Sequence, residues 1–427
     1  MESKSKARIT FDIYTLGCKL NQAEQNDIII KLIEKGYDYR PSCPDPDIYI
    51  VNSCTVTARA RYKSVNALRR IKAKSPGTKI VLAGCIPQTE AGICFDGSVD
   101  LALDNNQKGE IAEKIAGLGL VPAEVNIEKK DVKLRSRANL IIQTGCDSSC
   151  SYCIIPRARG KSVSYPLSNI ILRLKELLER GYKEIVLTGI HISRWDDCLN
   201  RKRRIQSLEF LIKRILEVSG DFRLRLSSIE PGDLDDEFID FMLSEKRICR
   251  HLHIPFQHAS DRILRLMKRN YSNDYICRLA GLIRSRSEDI QIGSDFIVGF
   301  PSESSEDFNC LYNTVRMLPI SHLHIFPFSG RKQTSAYNME GQLPNSIKKE
   351  RSLLMRKLAQ ENKKAFLLTQ LNRVHNIAVL TRKSKYYEVL SDNYIHGFLN
   401  SGIGLPLGGL TDASMIEISG EKGIFRL

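Results

Sequence analysis

The chain has 427 residues, 42% of them hydrophobic, with 64 Lys and Arg against 49 Asp and Glu and a formal charge of +15. That length supports two or three domains with cores of their own, so the twelve cysteines are not needed as the staples of a small secreted fold. No apolar run approaches a membrane span and no apolar stretch follows Met1–Arg8, so a cytoplasmic protein with no membrane association is expected, and the basic excess points to a polyanionic partner such as nucleic acid.

Residues 8–18 read as a strand, and Asn21–Gly36 as a helix with Ile28, Ile29, Leu32 and Ile33 on one side. The pattern recurs over Asp47–Thr57 with a basic helix to Lys74, over Lys79–Cys85, and over Val99–Asp104 before a last helix. Repeated βα units predict an N-terminal doubly wound parallel sheet, residues 1–125. Charged, glycine-bearing sequence over Gly117–Lys133 reads as a linker. Residues 134–370 then repeat the βα rhythm six times, with strands at 137–143, 184–191, 222–229, 251–257, 291–300 and 321–328, before a long charged helix over Ser346–Leu371. This predicts a partial (β/α)6 barrel, whose chemistry belongs on loops after the C-terminal strand ends. Short β-like runs at 376–380, 386–390 and 415–419 around a Gly-rich stretch at 402–409 predict a small all-β domain, residues 371–427.

The loop after the first barrel strand carries Cys146, Cys150 and Cys153 in CxxxCxxC spacing. Three close thiols leave a metal site unfinished. A structural zinc needs four ligands, and the next Cys or His is His191. Three thiolates can instead hold three irons of a cubane and leave the fourth open. The spacing, with Tyr152 before the last Cys, resembles the radical S-adenosylmethionine superfamily, in which the open iron binds the cofactor's amino and carboxylate groups. Cys18, Cys54 and Cys85 each end a predicted strand of the first domain, and in a parallel sheet those ends share one edge. From position alone, a ligand loop and a set of small buried residues are even readings; Gly17, Ser53 and Gly84 beside them favour ligands, because small neighbours let the backbone approach a cluster. Cys43, Cys94, Cys198, Cys249, Cys277 and Cys310 read as buried apolar residues, with Cys277 and Cys310 on core faces of helices. His251, His253, His322 and His324 alternate on strands four and six, so one set faces the barrel interior or all are structural.

As a whole the chain resembles the methylthiotransferase family of radical S-adenosylmethionine enzymes over nearly its full length. The likeness rests on Thr15-Leu-Gly-Cys-Lys-Leu-Asn-Gln-Ala-Glu, Asn52-Ser-Cys-Thr-Val-Thr, Ala83-Gly-Cys, the Cys146 loop through Arg159-Gly160, Leu187-Thr-Gly-Ile-His, Asp295-Phe-Ile-Val-Gly-Phe-Pro and Pro327-Phe-Ser-Gly-Arg. The resemblance implies two 4Fe-4S clusters: an auxiliary one on Cys18, Cys54 and Cys85 that supplies or carries sulfur, and one on Cys146, Cys150 and Cys153 that cleaves S-adenosylmethionine. It also implies a C-terminal TRAM barrel that binds RNA and an electron donor such as a flavodoxin or ferredoxin. Sulfur insertion at an aromatic C–H carbon needs a hydrogen-abstracting radical that no side chain here supplies. A second cofactor molecule would donate the methyl group.

Leu16-Gly-Cys-Lys-Leu-Asn-Gln, Ser53-Cys-Thr-Val-Thr and Thr188-Gly-Ile-His resemble the branch acting on N6-threonylcarbamoyladenosine beside the tRNA anticodon. Sister branches modify N6-isopentenyladenosine in tRNA or an aspartate of a ribosomal protein, and the positive charge favours RNA. Tyr152 is expected on the adenine side of the cofactor, with Ser228, Glu230 and Gly299 as further contacts. The chain departs from the superfamily pattern at Thr188-Gly189-Ile190, where Gly-Gly-Glu is usual, and its C-terminal stretch is short and nearly charge-balanced. The rival readings are a zinc-containing RNA-binding protein and a two-cluster electron carrier.

Overall fold

The computed structural model describes residues 8–90, 97–122, 136–196, 204–400, 402 and 404–427. Cys94, Cys198, most of the expected linker and the basic residues Lys129, Lys130, Arg135 and Arg201–Arg203 lie outside them. The chain divides into two compact units, one of Met1–Leu134 with Gly145–Ser148 and Cys153–Lys161, the other of Arg135–Thr144, Ser149–Tyr152 and Ser162–Leu427.

In the first unit, β1 (Thr10–Thr15), α1 (Lys19–Glu34), β2 (Asp38–Tyr39), β3 (Ile48–Ser53), α2 (Ala58–Lys74), β4 (Lys79–Gly84), α3 (Cys85–Thr89), β5 (Leu101–Leu103) and α4 (Ile111–Ala116) follow in order, and α5 (Ile155–Arg159) joins from further along the chain. The strands form one parallel sheet in the order β2-β1-β3-β4-β5. This is a doubly wound order whose direction reverses between β1 and β3. Alternating strand residues feed two cores. Phe11, Ile48, Ile50 and Val81 pack with Ile28, Leu32 and Ile111, while Val51, Ile80 and Leu82 pack with Ala67, Leu68 and Ile71 of α2. Two residues are too few for a periodicity signal, so β2 is absent from the sequence reading.

In the second unit, β6 (Ala138–Ile141), β7 (Gln143–Thr144), β8 (Val163–Ser164), α6 (Leu167–Glu179), β9 (Glu184–Thr188), α7 (Arg204–Leu216), β10 (Arg223–Leu226), α8 (Asp236–Ser244), β11 (His251–His253), α9 (Asp261–Leu266), α10 (Asn273–Arg286), β12 (Gln291–Val298), α11 (Ser305–Met317), β13 (His322–Pro327) and α12 (Asn345–Thr369) lead into a closed barrel. The parallel sheets β10-β9-β6 and β11-β12-β13 supply the six strands, linked where Cys249 N–H donates to Leu224 O (2.8 Å) and Ile229 N–H to His253 O (3.0 Å). Leu140, Ile185, Leu187, Leu224, Leu252, Ile292 and Phe296 face the helices in one core. The alternate residues of those strands therefore form the inner wall, and it is polar: Glu184, Arg225, His251, His253, Asp295, His322 and His324.

The C-terminal barrel is β14 (Val374–Arg382), β15 (Tyr386–Ser391), β16 (His396–Asn400), β17 (Leu410–Ser419) and β18 (Lys422–Arg426), closed in the order β14-β15-β16-β18-β17. Its loops meet the inner wall through Glu184, which is fully buried and paired with Arg223 (Nε–Oε2 2.9 Å), Arg225 (Nε–Oε1 2.8 Å) and Arg137 (3.2 Å). Arg223 goes on to donate to the carbonyl of Leu390, and Arg225 to those of Ser391 and Asp392.

Cys277 and Cys310 are half-buried rather than core-facing. The apolar stripes of α10 and α11 run through Ile276, Leu279, Ala280 and Ile283 and through Phe308, Leu311 and Val315, leaving both thiols at the stripe edge. The basic residues also split by role: Arg69 and Arg70 are exposed, whereas Arg351 is buried against Glu303 and Arg137 serves Glu184. No helix among the described residues is long and apolar enough to cross a membrane.

Candidate active site

Cys18, Cys54 and Cys85 follow β1, β3 and β4, three adjacent strands that straddle the reversal point of the sheet. Side chains tie the loops together. Asn21 Nδ2 donates to Leu16 O (2.8 Å) and Ser53 O (2.9 Å), Asn52 Nδ2 to Asn21 O (2.9 Å), and Ser53 Oγ to Ala83 O (2.7 Å). Gly17 takes φ +108°, and a Cβ there would lie 2.7 Å from Cys54 Sγ; at Gly84 (φ +104°) a Cβ would lie 2.8 Å from Ser53 O. Both positions exclude a side chain so that backbone closes on the thiols.

Cys54 and Cys85 are buried, Cys18 is half-buried, and the setting is cationic. Burial raises Cys18 and pushes Cys54 up to about 12, so a metal bound by these two displaces their protons. Arg159, at the end of α5, binds Asn21 and Glu24, and Lys108 binds the same Glu24 (2.6 Å); the Arg159 and Lys108 side chains are 2% and 7% exposed. Two buried cations thus share one carboxylate beside three sulfurs, and Arg159 Nε has no partner among the described residues. A single tetrahedral zinc needs sulfurs about 3.8 Å apart. The three sulfurs do not gather within 4.8 Å of one another; among the described residues the group of His, Cys, Asp and Glu that does is His253, Asp295 and His324. Wider spacing, excluded side chains and excess positive charge fit an anionic metal group larger than one ion.

The second set of cysteines lies on the loop after β7. Gly145 (φ +71°) lies so close to Lys161 that a Cβ would meet its carbonyl at 1.9 Å, and Cys146 N–H donates to Gly160 O (3.1 Å). In the second unit, Ser151 Oγ donates to Leu266 O (2.7 Å) and Tyr152 packs beside Ile263, Met267, Phe300 and Phe328. Cys150 Sγ accepts from Arg269 Nη1 (3.4 Å), and Arg269, 6% exposed, also binds Glu230 and donates to Pro255 O (3.1 Å). Arg269 therefore stands between the Cys150 thiol and Glu230, the carboxylate expected to meet the cofactor. Gln143 is fully buried; its Oε1 accepts from Ile190 N–H (3.1 Å) and His191 N–H (2.9 Å), fixing the loop that departs from Gly-Gly-Glu. Ser228 is half-buried in the loop after β10. Gly299 (φ +72°) donates its N–H to Glu303 (2.8 Å), and Lys348 packs against the face where a Cβ would stand.

Lys108 and Arg269 are absent from the sequence reading, because each lies far along the chain from the cysteine it serves; Glu24 ends the run quoted from Thr15, with no role assigned to it there. Arg159 lies in the stretch quoted after Cys153, with no role assigned to it there.

The CxxxCxxC loop after β7, with Tyr152 and the Arg269–Glu230 pair beside Cys150, has the form of a radical S-adenosylmethionine enzyme's loop. The radical SAM superfamily model matches residues 140–315, and the model of an uncharacterized family, UPF0004, matches residues 10–101. The chain is 33% identical to a threonylcarbamoyladenosine tRNA methylthiotransferase MtaB of Aquifex aeolicus, over 89% of this chain and 94% of that one, and 32% identical to the Bacillus subtilis protein of the same name, over 94% and 91%. It is 30% identical to a tRNA-2-methylthio-N(6)-dimethylallyladenosine synthase of Aquifex aeolicus, over 83% of each. Among solved structures, the radical S-adenosylmethionine methyltransferase TsrM of Kitasatospora setae shares the fold, with a TM-score of 0.57 at 14% identity over 77% of each chain. The chain belongs to the methylthiotransferase family of radical S-adenosylmethionine enzymes, in its MtaB branch. It transfers a methylthio group, and its radical SAM domain brings a 4Fe-4S cluster and S-adenosylmethionine.

Proposed function

We propose that this enzyme converts N6-threonylcarbamoyladenosine beside the tRNA anticodon to its 2-methylthio derivative, using two 4Fe-4S clusters, in the cytoplasm. The reading is supported chiefly by the meeting of Cys18, Cys54 and Cys85 at the sheet's reversal point, in a chain that also carries the Cys146 loop. When bound, the groups held by the two thiol sets supply reductive cleavage of S-adenosylmethionine and a sulfur source. The chain's own residues do the rest. Cys146, Cys150 and Cys153 leave one metal position open to the cofactor, Tyr152 offers an aromatic face beside it, and Arg269 neutralises Glu230 and the Cys150 thiolate. Arg159 and Lys108 offset the negative charge that three thiolates bring to the other site. Residues 1–125, 134–370 and 371–427 then act as sulfur-supplying, radical-forming and RNA-facing parts, with exposed basic residues such as Arg69 and Arg70 neutralising phosphates. An external one-electron donor such as a flavodoxin or ferredoxin completes the cycle.

The test is mass spectrometry of tRNA nucleosides from cells with and without the gene. The methylthio group should vanish from threonylcarbamoyladenosine alone. Its loss from isopentenyladenosine, or from neither, refutes the proposal.

A further inference from the structure

The inner wall of the barrel carries a polar array outside both thiol sets. Leu323 and Ile325 of β13 pack into the helix-side core, so His322, His324 and Phe326 face inward. Asp295 Oδ1 on β12 is 3.0 Å from His253 Nε2 and 3.0 Å from His324 Nδ1, and the Nε2 atoms of His322 and His324 are 3.0 Å apart. Below them the loop between β15 and β16 closes the floor: Tyr394 stacks on His251 (4.4 Å between centroids) and meets His322 edge-on (5.5 Å). Toward the C-terminal strand ends the wall is open. The His324 side chain is 47% exposed and Phe326 is 41% exposed, rare for a histidine and a phenylalanine pointing into a barrel.

Two facing imidazole nitrogens share one proton between them, which is half of what they can donate. A carboxylate arriving at that edge lets both Nε2 atoms donate, one to each oxygen, while Asp295 balances the charge that His324 gains. Phe326, one pleat nearer the strand ends, offers a face on which a base stacks. In a purine, C2 and the N6 substituent lie on different sides of N1, so a base stacked there with C2 toward the strand ends sends its N6 substituent down the wall. The two adenosine types named in the relatives differ in this group: threonylcarbamoyl ends in a carboxylate, and dimethylallyl is apolar. A wall of imidazoles suits only the first.

We infer that His322 and His324, held by Asp295 and His253, bind the carboxylate of the substrate's N6 substituent and set the enzyme's choice of adenosine. The inference rests on the functional reading above and deepens it. Its test uses the full-length, cluster-reconstituted enzyme and two tRNAs, one with N6-threonylcarbamoyladenosine and one with the same group as its neutral carboxamide. For the wild type, kcat/KM falls roughly 10- to 100-fold on the neutral substrate, the loss of one charge-assisted contact, and KM carries the change. His324→Phe brings about the same fall on the charged substrate and no further fall on the neutral one. His324→Asn repeats the experiment should the larger ring prevent folding, and the wild-type comparison needs no variant. Equal wild-type kcat/KM on both tRNAs, a variant as sensitive to the carboxylate as the wild type, or a stoichiometric extra metal ion lost with His324 overturns the site. A wild type active only on dimethylallyladenosine overturns the functional reading itself.

Discussion

Replacing Glu184 by Gln keeps the volume of a fully buried side chain and removes its charge. In the native protein one carboxylate serves Arg223 and Arg225, 5% and 1% exposed, and the more open Arg137. Burial alone would raise the Glu184 pKa, yet the attraction of Arg225 and Arg223 outweighs it and holds the carboxyl well below the usual range. The variant strands two buried guanidinium groups without a counter-ion, which costs about 3–5 kcal/mol. With a denaturant slope of about 3 kcal/mol per molar urea, the midpoint drops by about 1–2 M. The single tryptophan, Trp195, is 1% exposed in the core of the same unit, so its fluorescence under anaerobic urea titration reports this unit directly. A pH series adds a sign. Because the folded pKa is depressed, the pair stabilises fully above the unfolded value of about 4.3, and its contribution fades as pH falls toward the folded value. The wild-type advantage over the variant should therefore shrink below about pH 4. A midpoint shift below about 0.3 M at pH 7, or an advantage that grows on acidification, would refute the argument.

Cys54→Ala should leave about four of about eight irons per chain and retain 5′-deoxyadenosine formation, while tRNA thiolation stops; Cys146→Ala should abolish 5′-deoxyadenosine formation, read by chromatography. Gly145→Ala places a Cβ 1.9 Å from the Lys161 carbonyl and should lower 5′-deoxyadenosine formation at least as far as a cysteine variant. Arg159→Leu leaves Glu24 with Lys108 alone, so the loss in stability is modest, about 1–3 kcal/mol. Its clearer effect is on iron at the first site, which a chelator should strip measurably faster than from the wild type.

The sequence by itself determined the βα rhythm of both units, because apolar periodicity is local and each strand carries it. It also determined the Cys146 loop, whose three thiols lie within eight residues. Short pieces escaped it, including β2, β16 and β18, since pairing within the sheet and barrel, not local preference, holds them, and α9, which is only six residues long. Alternating βα units already put Cys18, Cys54 and Cys85 at one sheet edge, but only tertiary structure decided which strands are neighbours there, that Arg159 and Lys108 are buried beside that edge, and that Arg269 reaches Cys150. The strand order β2-β1-β3-β4-β5 brings together residues tens of positions apart, and no local spacing encodes that order. The same holds for the barrel interior. Alternation marked the histidines as a set, but only the pairing of β11, β12 and β13 put Asp295 between His253 and His324 and left that edge open.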